Sequence, residues 1–148
     1  MVLDKKFRWA TEEIYSSDSA WEKEFDALKG QLDFSAFRGK LNEKAQFLAC
    51  MKEQERVGRI FEKLSVYAMM KHDEDTKNAT YDSFNSKIMS LGAVLGSNTA
   101  FIMPELTSLS ENVLKEYILD EDLKEYDYFL KCVLKEKEHV LSEGEEKI

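Results

Sequence analysis

Apolar side chains recur along this chain at steps of three and four, and no stretch of any length alternates apolar with polar as a strand would. The clearest example is Arg56 to Thr76, where Val57, Ile60, Phe61, Leu64, Tyr67 and Ala68 form the stripe of an amphipathic helix. It runs into His72-Asp73-Glu74-Asp75, an acidic end that cannot extend the stripe. Upstream, Trp21, Phe25, Leu28 and Leu32 share one face of an earlier helix. Ser19 followed by Glu22 reads as the capping box that starts it. Phe34 and Phe37 flank a break at Arg38-Gly39-Lys40.

Asn42 is the expected N-cap of a long second helix over residues 43 to about 72, with Ala45, Leu48 and Met51 in its first half. A third helix is expected from near Asp75 or Thr76, with Tyr81, Phe84, Ile88, Leu91, Leu95 and Ile102 inward. Gly92 and Gly96 lie inside it; each costs a helix about 1 kcal/mol relative to Ala, so a close crossing or a bend should offset them. Pro104 fits the first turn of a short helix, where its missing N–H costs nothing. Ser110 caps the next segment, with Leu114, Tyr117 and Ile118 inward. Asp120 caps the one after, with Leu123, Tyr126, Leu130 and Val133 or Leu134 inward. Residues 1–8 carry little pattern and read as an extended arm. The fold class is all-α, an antiparallel bundle of about five to six helices.

The length of 148 residues suits a single helical domain over 1–148. Ser142 with Glu145 reads as a second capping box with almost nothing after it, so a last helix from about Ser142 is expected to be cut short, as in the N-terminal lobe of a longer chain. No apolar run approaches the roughly 18 residues of a membrane span, and no signal-peptide core opens the chain, so a cytoplasmic protein without membrane contact is expected. The net charge of −8 excludes nucleic acid, which needs a basic face to neutralise phosphates.

The chain shows no motif for chemistry. A zinc peptidase helix would carry H-E-x-x-H, two imidazoles one turn apart with a glutamate base between them. Here only His72 and His139 occur, far apart, and each reads as a surface or helix-end residue. Asp73-Glu74-Asp75 lacks the glycine and distal glutamate of a calcium loop. The glycines are isolated, without a phosphate loop, dinucleotide fingerprint or nucleophile elbow. Cys50 and Cys132 have no metal-type spacing and read as small hydrophobes, with a redox pair as the rival reading. The expectation is therefore no catalytic, cofactor-binding or metal-binding residue in this chain.

The order of several short motifs is more specific than any one of them. Trp9 precedes Ile14-Tyr15, and Ser17 goes with Trp21. Phe37-Arg38-Gly39-Lys40-Leu41 follows, then Lys63-Leu64-Ser65-Val66-Tyr67-Ala68, Asp73-Glu74-Asp75-Thr76 and Tyr81. Pro104-Glu105-Leu106 and Leu123-Lys124-Glu125-Tyr126 come next, then Lys137-Glu138-His139-Val140-Leu141-Ser142 running to Glu145-Glu146. In this order the chain resembles, over about Phe7 to Glu146, the N-terminal helical region of oligoendopeptidase F, within the thimet-oligopeptidase-like zinc metallopeptidases.

The resemblance implies a parent enzyme that hydrolyses short peptides in a deep channel, with one zinc held by H-E-x-x-H and a further glutamate. All those ligands lie downstream of the matched region, and no position here corresponds to them. The implied role of this piece is a wall or lid of the channel, inactive by itself and partnered by the missing catalytic domain of the same polypeptide. Its leftover apolar faces would pack on that domain, or pair two copies of the isolated piece as a homodimer. The rival expectation is a free-standing helical module that binds a peptide or partner helix without enzymatic activity.

Overall fold

The computed structural model describes residues 10–146, with side chains through Val140; the arm expected over residues 1–8, and Trp9, lie outside the described residues. Among these there is no strand, and six α-helices follow one another. They are α1 (Asp18–Lys29), α2 (Lys44–Glu74), α3 (Ala79–Thr99), α4 (Ile102–Ser108), α5 (Glu111–Leu119) and α6 (Asp127–Glu146). Short 3-10 turns occupy Thr11–Glu13, Ser35–Phe37 and Glu121–Tyr126. The protein is all-α, as its periodicity requires.

Where one domain over 1–148 is expected, the described residues group into two compact units: 10–33 with 53–98, and 34–52 with 99–146. Helix α2, 31 residues long, contributes to both. The division follows from which face each part of α2 buries. Val57, Leu64, Tyr67 and Ala68 serve the first unit, and Phe47, Cys50 and Met51 the second.

The first unit is three helices around Trp21, which is fully buried. Its indole stacks on Phe84 of α3, 4.0 Å between ring centroids and 6° from parallel, and on Phe25 one turn further along α1 at 5.2 Å. Its Nε1–H donates to the Leu64 carbonyl of α2 at 2.9 Å, so the one polar atom of the core ring is satisfied. The direction of packing follows from three contacts. Asp18 meets Tyr67 and Tyr81, Trp21 meets Leu64 and Phe84, and Asn98 donates to the Leu32 carbonyl at 2.7 Å. Hence α1 and α3 run parallel and α2 runs antiparallel to both. At the α2–α3 crossing, a Cβ on Gly92 would stand 3.0 Å from Phe61 Cζ. That close approach offsets the helix cost of Gly92; at Gly96 a Cβ would meet nothing within 4 Å.

Several expected boundaries move, each for a local reason. Ser17, not Ser19, caps α1: its backbone is extended and its hydroxyl accepts from Ala20 N at 3.1 Å, while Ser19 is already helical. Helix α2 begins at Lys44 with Glu43 giving the first helical carbonyl, to Phe47 N at 2.9 Å, so Asn42 stands one residue too early to cap it. In its first half Ala45 is exposed and Leu48 half-buried, because the larger Phe47 takes the core position. Asp75 and Thr76 form a turn instead of starting α3; the side chain of Asn78 accepts from Thr80 N at 2.9 Å and takes the cap. Helix α3 ends at Thr99, so Ile102 belongs to α4. Ser142 lies within the range of α6 and starts no separate helix.

In the second unit Gly39 turns the chain with φ of 75°, a left-handed conformation that side chains with a Cβ disfavour. Tyr117 OH donates to the Leu41 carbonyl at 2.9 Å, and Phe47 lies against the rings of Tyr117 and Tyr126. Ser110 caps α5 by accepting from Val113 N at 3.2 Å. Asp120 accepts from Asp122 N at 2.9 Å, capping the 3-10 turn that leads into α6, and Lys44 bridges both aspartates. Pro104 sits in the first turn of α4, as its missing N–H allows.

Truncating Trp21 to Ala empties the stacked centre of the first unit and should lower stability by about 4 kcal/mol. Leu119→Ser, at a position 84% exposed, should stay within about 0.5 kcal/mol of the parent. Urea unfolding of both variants checks the pair.

Candidate functional site

Two features of the first unit have the shape of a site. The first is a polar junction of about 220 Å³ where the start of α1 meets α2 and α3. Asp18, the first residue of α1, sits at the positive end of that helix. Its two carboxylate oxygens accept separately from Tyr67 OH at 2.6 Å and Tyr81 OH at 3.1 Å. Tyr15 stands edge-on to Tyr67, 5.3 Å between centroids, and its own hydroxyl donates to Glu24 at 2.7 Å. Lysines cover the rings: Lys63 lies 4.5 Å from the Tyr15 ring centre, and Lys71 within 6 Å of both Tyr67 and Tyr81.

This environment keeps the phenols protonated. Burial, then the hydrogen bond to Asp18, then its negative charge, push Tyr81 up to about 12. Tyr67 is raised by the same causes in the same order. Tyr15 is raised by burial and by its bond to Glu24. Three neutral phenols anchored on carboxylates make a fastening between helices. Their raised pKa values oppose the phenolate that a nucleophilic role would need.

The second feature is a groove of about 660 Å³ along α1 and α3. Phe25, Leu32, Leu91 and Val94 give it an apolar floor. Lys29, Asp26 and Lys87 rim it, with Ser83, Ser86 and Ser90 spaced along the α3 side.

The residues weighed for chemistry from sequence stay apart. His72, in the last turn of α2, is 2.7 Å from Asp82 of α3 through Nε2, a helix-end tie between neighbours. His139 is exposed on α6. Cys50 is buried and Cys132 exposed, and both are free thiols. Burial, with the charge of Glu105 adding to it, pushes the Cys50 thiol up to about 11, leaving no reactive thiolate at neutral pH. Among the described residues no three His, Cys, Asp or Glu side chains are placed to hold a metal ion. The described residues therefore offer no ligand set that fits the zinc which the resemblance implies for the parent. No described helix is long and apolar enough to cross a membrane.

Sequence reading missed both features. The tyrosine junction joins three segments whose separations of 49 and 63 residues carry no spacing signal. The one available hint was an aspartate opening a helix in a chain with several tyrosines near helix ends.

A family profile described as Oligopeptidase F matches residues 105–148. Oligopeptidase PepF of Bacillus subtilis is 39% identical over 141 residues, 93% of this chain and 21% of that protein. Group B oligopeptidase PepB of Streptococcus agalactiae is 35% identical, and the plasmid oligoendopeptidase F of Lactococcus lactis subsp. cremoris 33%; each alignment covers 99% of this chain and 25% of the relative. A crystal structure of a protein assigned as a peptidase in Chlamydophila abortus superposes with a TM-score of 0.84 over 96% of this chain and 26% of that one, at 21% identity, a likeness of fold. An all-helical segment shared by oligopeptidases is thus the class that the fold and the matches define. The chain belongs to the oligoendopeptidase F family, as its N-terminal helical region. It spans about a quarter of the length of the relatives it matches.

Replacing Asp18 by Ala strands two tyrosine hydroxyls and should cost about 2 kcal/mol, against about 1 kcal/mol for Tyr81→Phe, read from urea midpoints. The raised tyrosine values also give a pH dependence. The folded state keeps the Tyr81 proton up to about 12, whereas the unfolded state releases it near 10.0. The stabilisation is whole below the lower value and is lost as pH rises through the higher one. The urea midpoint should fall across that alkaline interval, and fall less steeply in Asp18→Ala, where burial and the charges of Glu74 and Asp75 still raise Tyr81 but the bond to Asp18 is gone.

Proposed function

We propose that this chain is the front lobe of a zinc-dependent endopeptidase for short peptides, forming a wall or lid of its substrate channel and supplying no catalytic group. The observation that carries this reading is coverage. A relative that is an oligopeptidase by name aligns with 93% of this chain, yet the chain accounts for 21% of that relative. On this reading the metal, which would activate water for attack on a peptide carbonyl, is held elsewhere in the polypeptide. What these residues contribute is shape: a helical body whose core is closed by Trp21 and whose Asp18 junction fastens three helices. Met69 and Met89 of the first unit, and Leu119 and Tyr128 of the second, remain exposed and are candidates to pack on the rest of the polypeptide, or to pair isolated copies.

A second reading has one observation in its favour. The α1–α3 groove is of a size that takes small ligands, which suits a free-standing peptide- or protein-binding module without activity.

Assaying the isolated chain beside the product of the complete source reading frame, on internally quenched peptides of graded length, separates the two. The complete product should cleave short peptides and leave folded proteins intact. A chelator should remove that activity and zinc restore it, and the isolated chain should cleave nothing. Cleavage by the isolated chain, or an inert complete product, would overturn the proposal.

A further inference from the structure

The groove along α1 and α3 differs in charge from the chain that carries it. The protein bears a net −8, yet two lysines and one aspartate rim the groove. Some lysines elsewhere are paired: Lys44 bridges Asp120 and Asp122, and Lys131, Lys115 and Lys124 each stand near an acid three or four residues away. Among the described residues Lys29 and Lys87 have no such acid partner, and Ser83, Ser86 and Ser90 have no side-chain hydrogen bond. The groove thus offers two uncommitted cations and three uncommitted hydroxyls over an apolar floor.

The parallel run of α1 and α3 sorts these groups along its length. Tyr81 lies level with Asp18, and Asn98 with Leu32. Counting from those ties, Lys29, Leu32 and Val94 share one end of the groove, Asp26 and Leu91 lie level with each other midway, and Ser83 and Lys87 lie toward the other end. An apolar pocket with a single cation beside it is complementary to the last residue of a peptide, which carries an aliphatic or aromatic side chain and a free carboxylate on the same carbon. The serines, at successive turns of α3, can meet the amide groups that precede it.

We propose that this groove docks the C-terminal residue of a short peptide, Lys29 holding the carboxylate while Leu32, Leu91 and Val94 receive the side chain. The inference rests on the reading that the parent polypeptide handles short peptides, and it adds a holding point outside the catalytic machinery. The site would retain a substrate or a product by its free end, favouring peptides that finish in an apolar residue.

Titration of the isotope-labelled chain with acetyl-Ala-Ser-Ala-Leu, followed by amide chemical shifts, tests it. Saturable shifts should cluster on Lys29, Leu32 and 87–94. The same peptide with a C-terminal amide should bind about fivefold more weakly, as should the free acid to Lys29→Gln, and raised salt should narrow both differences. Both lysines and Val94 face solvent, so the variant spectra should otherwise overlay. Equal binding of acid and amide would overturn the proposal, and so would equal binding of an amidated peptide with glutamate before its last residue, which would mark a general acidic-segment surface. No binding at millimolar peptide would also overturn it, and would leave hydrolysis by the complete polypeptide standing. A complete product that fails to hydrolyse peptides would in turn leave these shifts measurable.

Discussion

The first unit of this protein depends on how one indole is enclosed. Trp21 is held face to face against Phe84, stacked on Phe25 and hydrogen-bonded to the Leu64 carbonyl, so a single residue touches all three helices of its unit. Burying a side chain of this size contributes several kcal/mol, a large share of the margin by which a small domain stays folded. The indole N–H is what makes the enclosure specific. A ring slid by one helical turn would leave that donor unsatisfied in the core, at a cost comparable to a lost hydrogen bond. With α1 fixed in register by Trp21, Asp18 falls one turn earlier, where it accepts from Tyr67 and Tyr81. The groove between Phe25–Leu32 and Ser83–Val94 is a consequence of the same register.

Much of this was legible in sequence, for a physical reason. Trp21, Phe25 and Leu28 are buried on one face of α1, because helical periodicity reports directly on which side chains share a face; Leu32 is buried as well, but past the end of α1 at Lys29. Ser110 and Asp120 cap where expected, since capping is a local contest between a side chain and nearby amides. Boundaries failed where two local solutions compete. Ser17 and Ser19 are both good caps, and only the packing of Trp21 decides where the helix starts. Asp75 and Asn78 are both good turn acids or amides, and the chain uses the first for the turn and the second for the cap. The use of α2 by two units was hidden because its stripe continues through both halves; only the partners of each half differ.

The candidate site was least legible. A motif such as H-E-x-x-H concentrates its groups within a few residues and is legible in a sequence. The tyrosine junction and the groove are assembled from α1, α2 and α3 at separations no spacing rule anticipates. Lys29 and Lys87 look, in sequence, like any two lysines on solvated faces. What sets them apart is the apolar floor between their helices, a property of the packed unit. Family membership came through instead from the order of weak motifs such as Phe37-Arg38-Gly39-Lys40-Leu41. There Gly39 marks a backbone turn that few other residues adopt.

The central claim is that this lobe contributes shape and no chemistry to a peptidase. Its most direct measurement is complementation. The rest of the parent polypeptide, expressed without this lobe, would be assayed on short and long peptides before and after adding this chain in trans. The account predicts a remainder that is impaired or indiscriminate in peptide length, with activity on short peptides recovered as the lobe is titrated in. A remainder as active and as selective without the lobe as with it would contradict the account.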